Sequence, residues 1–327
     1  MSVYTIKKEK INLIPTHMKR LLLLSVILSV ILLTSCKQEK AYIPATPPPF
    51  TTPSGKVYQR NIASGKALED FQQARIAYLK DTTDADLLIW YGRRTAYLGN
   101  YEDAIDIYSN GIRRIPEDAR LYRHRGHRYI SIREFDKAIA DLEKGAALIR
   151  GTENEIEPDG MPNAKNIPVS TLHGNIWYHL GLAYYLKHEY NNAFRAYLNC
   201  RKSGSNPDNL VSSTHWLYMI QRRLGNKALA DSLLIPIENG LEVIENTNYY
   251  DLCKFYKGLI PVDSLTKAKE MSAASDAVSY GLANWYYHEG MEEKAVEIWL
   301  DITERDSWTS FGYIAAESDL SNMTIRK

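Results

Sequence analysis

Three cysteines in 327 residues are too few for a disulfide framework, which excludes a small cross-linked fold. Charge of one sign is lacking too: 40 Lys and Arg face 39 Asp and Glu, a balance that argues against a general nucleic-acid binder. Catalytic signatures are missing. There is no glycine-rich phosphate loop, no Gly-x-Ser-x-Gly, no His-Glu-x-x-His and no carboxylate pair at an informative spacing. Asp159-Gly160 reads as a turn. These absences lead to the expectation of a non-enzymatic chain without a cofactor. Long apolar runs are also scarce. The one from Leu21 to Leu33 has thirteen residues. It covers roughly 20 Å, short of the ~30 Å hydrocarbon core of a bilayer.

That run follows Met18-Lys19-Arg20 and ends in Thr34-Ser35-Cys36, the order of a secretory signal. Leu33-Thr34-Ser35-Cys36 resembles the bacterial lipobox, which implies lipidation (palmitate among the acyl groups) on Cys36 as the first mature residue. An ordinary signal peptide with a chance cysteine is the competing reading. Residues 1–35 are read as the leader, with Met18 as an alternative start. The resemblance implies a lipid-anchored protein of a Gram-negative cell envelope, and Lys37 in place of Asp leans toward the outer membrane, periplasmic or surface-facing. Without residues 1–35, which hold five Lys/Arg and one Glu, the chain has 35 basic and 38 acidic residues, a net of −3. Residues 36–60 are rich in Pro and Thr (Ala45-Thr-Pro-Pro-Pro-Phe-Thr-Thr-Pro53) and read as a tether.

From residue 61 to 327 a period of 34 residues emerges. It separates Gly92 from Gly126, Tyr101 from Phe135, and Ala104 from Ala138. Repeats of this length are helix pairs that bury their apolar faces against their neighbours. The first spans about 85–118 and the second about 119–152. A third carries Trp177, Leu180, Gly181, Tyr184, Tyr190, Ala193, Tyr197 and Cys200, after an insertion at about 151–172. A fourth around Leu217 to Leu234 lacks its first-helix glycine and has Tyr218 there. A short fifth is read at 249–274, and a last pair carries Leu282, Ala283, Tyr286, Gly290, Ala295 and Trp299. Segments at about 64–80 and 308–320 read as capping helices. The pattern of Trp, Leu, Gly and Tyr, then Ala, a bulky residue and Pro, resembles the tetratricopeptide repeat family. That resemblance implies an all-α fold, a right-handed α-solenoid of stacked antiparallel helix pairs.

In that family the first helices line a concave groove. Carried over by position, the resemblance assigns to the groove Arg93, Tyr97, Arg120, Arg123, His127, Tyr178, Tyr185, His215, Arg222, Tyr280 and Tyr287. Arginine forks match carboxylates or phosphates, and tyrosine offers a rigid amphipathic face. The expected ligand is an extended anionic or carboxylate-bearing segment, most plausibly a peptide. Frequent Tyr and locally paired Arg would produce the same list. His124 and His127 have a metal-compatible spacing but no third ligand nearby, so no metal is expected. The insertion, acidic in its first half, reads either as a lid over the basic groove or as a passive loop.

Two functions emerge as expectations. One is a membrane-anchored, non-enzymatic interaction scaffold for an envelope protein or peptide, with no nucleic acid involved. The other is a lipoprotein that captures glycan or nutrient substrate, as in the SusD family, which also contains these repeats.

Overall fold

The computed structural model describes residues 42–60, 64–266 and 273–325. Cys36 and the leader lie outside them. The chain divides into two units, 1–43 and 44–327, and all the described helices and strands belong to the second.

A two-stranded antiparallel hairpin comes first, β1 (Phe50–Thr51) with β2 (Val57–Tyr58). Helix α1 (Gly65–Lys80) precedes the repeats. Six consecutive pairs come next: α2 (Ala85–Tyr97) with α3 (Tyr101–Arg114), α4 (Ala119–Ser131) with α5 (Phe135–Leu148), and α6 (Leu172–Leu186) with α7 (Tyr190–Lys202). Then come α8 (Pro207–Arg223) with α9 (Lys227–Leu233), α10 (Thr247–Tyr256) with α11 (Asp263–Thr266), and α12 (Ala273–His288) with α13 (Glu292–Thr303). Helix α14 (Phe311–Ile325) ends the described chain. Short turns make each pair antiparallel, and pairs pack on their sequence neighbours. This is the expected all-α stack.

The period appears in the caps and crossings. Asp84 caps α2 through the amides of Asp86 and Leu87, and Asp118, one repeat later, caps α4 through that of Arg120. At the crossings the first-helix glycine admits a bulky partner. A Cβ on Gly92 would lie 2.5 Å from the Tyr108 ring, one on Gly126 2.8 Å from Leu142, and one on Gly181 2.6 Å from the Tyr197 ring. Each pair turns through one residue with positive φ: Gly99, Arg133, His188, Gly225, Gly258 and Gly290. Two of the six are not glycine, and both have a second task.

That task is to hold α14, which returns from the last pair to the second and third. Arg133 reaches Glu317 (2.9 Å) and donates to the Trp308 carbonyl (2.7 Å). His188 lies against Ser318 (3.1 Å) and Asp319 (3.9 Å). Ser318 also donates to the Leu186 carbonyl at 2.6 Å. The 308–320 segment is therefore more than a cap. Tyr313, Ile314, Ala315, Ala316, Glu317 and Asp319 are all buried, so α14 is enclosed on nearly every side.

The expected 36–60 tether gives way to folded structure at Phe50. Phe50 stacks on Trp308 with centroids 4.6 Å apart, and the Tyr58 and Tyr313 hydroxyls meet at 2.5 Å. Aromatic burial decides this end of the segment, and prolines govern only the stretch before it. Arg60 then pairs bidentately with Glu102 of α3 (2.5 and 2.8 Å).

Candidate binding face

Residues 93, 97, 120, 123 and 127 lie on the first helices of the first two repeats, spaced three or four apart so that each set shares one face. The insertion crosses this face. Its ends are tied by an antiparallel bridge, Ile156 to Thr171, and by the Glu157 amide donating to the Ser170 carbonyl at 3.0 Å. Between the ties runs Glu157-Pro158-Asp159-Gly160, and the basic face holds it at four points.

Glu157 is buried, with its carboxylate 3.0 Å from Arg123 Nε and accepting from Asn175 Nδ2 at 3.0 Å. Arg93 Nη1 donates to the Pro158 carbonyl at 2.8 Å, and Arg94 Nη1 to that of Gly160 at 3.1 Å. Tyr97 closes the row: a Cβ on Gly160 would crowd its hydroxyl, the end of an exposed side chain. The insertion is a strap across the inner face, with Ile156, Met161 and Ile167 exposed on its outer side.

The cations outnumber the anion beneath the strap. Arg128 lies over the Tyr101 ring at 5.6 Å, and among the described residues no carboxylate is within ion-pair distance of it. Burial lowers its pKa. His124, His127 and His179 sit beside these arginines, with His127 and His179 ring centroids 4.3 Å apart. All three are held neutral, first by burial and then by Arg123 and Arg128. Among the described residues no group of three or more His, Cys, Asp or Glu is placed to hold a metal ion.

The structure does not gather all eleven expected groove residues into one open surface. Arg93, Tyr97 and Arg123 meet the strap. Arg120 is tied to Asp118 (2.7 Å) and Asp86. His127 faces His179 and Phe311. Tyr178 accepts from Trp216 (2.9 Å) and meets Tyr249 (3.0 Å). His215 is buried against Tyr249, with its pKa pushed down to about 3 by burial.

Arg222 bonds Tyr218, the His288 carbonyl and Glu289, between α8 and the end of α12. The rest belong to the seam with α14. Tyr185 and Tyr280 join hydroxyls at 2.8 Å, and Tyr280 donates to Asp319 at 2.7 Å. Asp319 also pairs with Arg223 (2.5 Å), whose guanidinium lies over the Tyr287 ring. These positions were assigned as groove because the positional rule assumes an open stack. Here the returning helix fills it, and its acids consume the basic and phenolic groups.

Sequence reasoning missed Asn175 and Arg94 as strap contacts, and Asp208 altogether. Asp208 is buried and accepts from the amides of Ile244, Glu245 and Asn246 at 2.8–2.9 Å, shaping the loop before α10. Beside that loop lies a cavity of about 300 Å³, lined by Asn175, Tyr178, Ser212, Glu245, Tyr249 and Phe311 among others. No described helix is long and apolar enough to cross a membrane.

No protein-family model matches the chain, and no curated protein matches it. Among solved structures it is similar to YrrB, described as a TPR protein with an unusual peptide-binding site: 14% identity, 76% of this chain, 97% of that one, TM-score 0.41. It is also similar to nearly identical TPR-like repeats of a Podosopora anserina putative kinesin light chain: 13% identity, 71% and 94% covered, TM-score 0.39. A third is the APC/C hetero-tetramer Cut9-Hcn1: 15% identity, 72% and 42% covered, TM-score 0.39. The 34-residue register and the crossings at Gly92, Gly126 and Gly181 are realised in the structure as stacked helix pairs.

Proposed function

We propose that the chain is a lipid-anchored, non-enzymatic interaction scaffold of a Gram-negative envelope. Its acyl-bearing Cys36 tethers the stack to the outer membrane, and its inner face binds an extended, carboxylate-bearing segment of an envelope protein. The observation that carries this reading is the hold of Arg93, Arg94, Arg123 and Asn175 on an extended acidic stretch, in this case the chain's own. Two or more acyl chains would make the anchor stable, since one alone binds a membrane only marginally.

Two measurements test it. Labelled palmitate should enter the wild-type chain and not Cys36→Ser; label in both would remove the anchor. Affinity purification from solubilised envelopes should recover a partner with the wild type and much less with Arg93→Ala/Arg94→Ala. Equal recovery would remove the inner face as the binding site.

The cavity between α6, α8 and α14 favours a second reading, capture of a small polar substrate, because aromatic rings, amides and Glu245 line it together. A glycan-induced rise in melting temperature, abolished by Tyr249→Ala, would support capture over scaffolding.

A further inference from the structure

The strap holds its site imperfectly. Arg123 is buried, yet its Nε–H has no hydrogen-bond acceptor: the Glu157 oxygen lies at 3.0 Å but out of line with the N–H bond. Arg128, a turn and a half further along the same helix, has no carboxylate at all within ion-pair distance among the described residues. A buried donor without an acceptor is costly, and guanidinium–carboxylate pairs are strong when aligned. Asn175 Nδ2 donates to the same carboxylate, and the two arginine contacts beyond it are to main chain, at the carbonyls one and three residues after the glutamate. Those two contacts read backbone carbonyls, whatever molecule they belong to. The Ile156–Thr171 bridge beside Glu157 restrains where its carboxylate reaches.

We propose that residues 155–162 are an intramolecular stand-in for the partner, and that the site beneath them takes an acidic extended peptide once the strap lifts. The inference rests on the scaffold reading and adds the partner's chemistry to it. A ligand carboxylate free to align with Arg123 Nε satisfies the orphan donor. The strap sets a threshold: only a segment that outcompetes a tethered, misaligned copy enters. Exposed Met161 then travels with the displaced strap.

The probe is a fluorescein-labelled peptide copying residues 153–164, titrated in trans against the full lipidated chain in detergent, with anisotropy as the readout. Two strap variants are compared with the wild type. Glu157→Gln keeps the shape and removes the charge. Gly160→Ala sets a Cβ against the Tyr97 hydroxyl and Arg93 Nη2 and so crowds the strap's two main contacts on that side. Both variants should bind the peptide at least tenfold more tightly than the wild type, with unchanged helicity. A peptide carrying Gln at the position of Glu157 should lose most of that gain, and higher salt should weaken binding.

Variants that keep wild-type helicity and bind the peptide no better than the wild type overturn the inference. Failure of the two readings is distinguishable. Peptide binding as described, without any envelope protein recovered by the chain, would sustain the self-occupied site and remove the scaffold. An envelope protein recovered equally by wild type and both strap variants would sustain the scaffold and remove the stand-in.

Discussion

At the residue scale, the crossings and buried ion pairs carry most of the specificity. Gly181 lies where a Cβ would be 2.6 Å from the Tyr197 ring, itself buried. Gly181→Ala is expected to cost about 1–3 kcal/mol in chemical denaturation, since neither the ring nor the helix has room to yield. Asp319 is the shared acceptor of Arg223 and Tyr280 inside the molecule. Asp319→Ala leaves that guanidinium buried and unpaired, and a loss of about 3–5 kcal/mol is expected. The buried histidines set the pH response. His215 has a folded pKa of about 3, against roughly 6.5 unfolded. Between those values the unfolded chain binds a proton that the folded chain refuses, so stability is full above about pH 6.5 and falls as pH drops. The expected slope is about 1.4 kcal/mol per pH unit for each such histidine. His215→Asn should lower the measured slope by that amount between pH 6 and 4; an unchanged slope would show that His215 is not held neutral.

At the scale of elements, repeats were legible and their closure was not. The 34-residue period, the aspartate caps and the crossing glycines are local signals, and each repeat needs only its neighbours to form. Helix boundaries in the first three pairs accordingly fall where Gly99-Asn100, Pro116 and Asn206-Pro207 suggest. The return of α14 depends on contacts between residues more than 130 positions apart, such as Ser318 with Leu186, and no periodicity encodes them. Two traces were nevertheless present. Arg133 and His188 occupy turn positions that glycine fills elsewhere, and the run Phe311-Gly-Tyr-Ile-Ala-Ala has no polar face. The hairpin was hidden for a similar reason: prolines dominate 45–53, while the partner of Phe50 and Tyr58 is Trp308, 250 or more residues away. Trp308→Ala is expected to cost about 3–5 kcal/mol and to open residues 50–58 to limited proteolysis. Continued protection there would show that the hairpin is held by something other than that ring.

At the scale of the whole molecule, the solenoid closes on its own interior rather than presenting a continuous groove. Tyr185, Tyr280 and Tyr287 are spent on the seam with α14, and Arg93, Tyr97 and Arg123 are covered by the strap. The basic bias on the first helices was readable from positions alone. Which of those side chains stay available was not, because that depends on where distant acids arrive. What survives as a candidate site is the set that holds the strap: Arg93, Arg94, Tyr97, Arg123 and Asn175. Binding at this site therefore comes down to one exchange, a partner's carboxylate-bearing segment for residues 155–162. Hydrogen exchange on the full chain measures it directly, at the Glu157 amide that donates to the Ser170 carbonyl, with and without saturating acidic peptide. Slow exchange in the free chain and fast exchange in the complex is the expected result. An amide that stays equally protected when the peptide is bound would place it elsewhere and contradict the exchange of strap for partner.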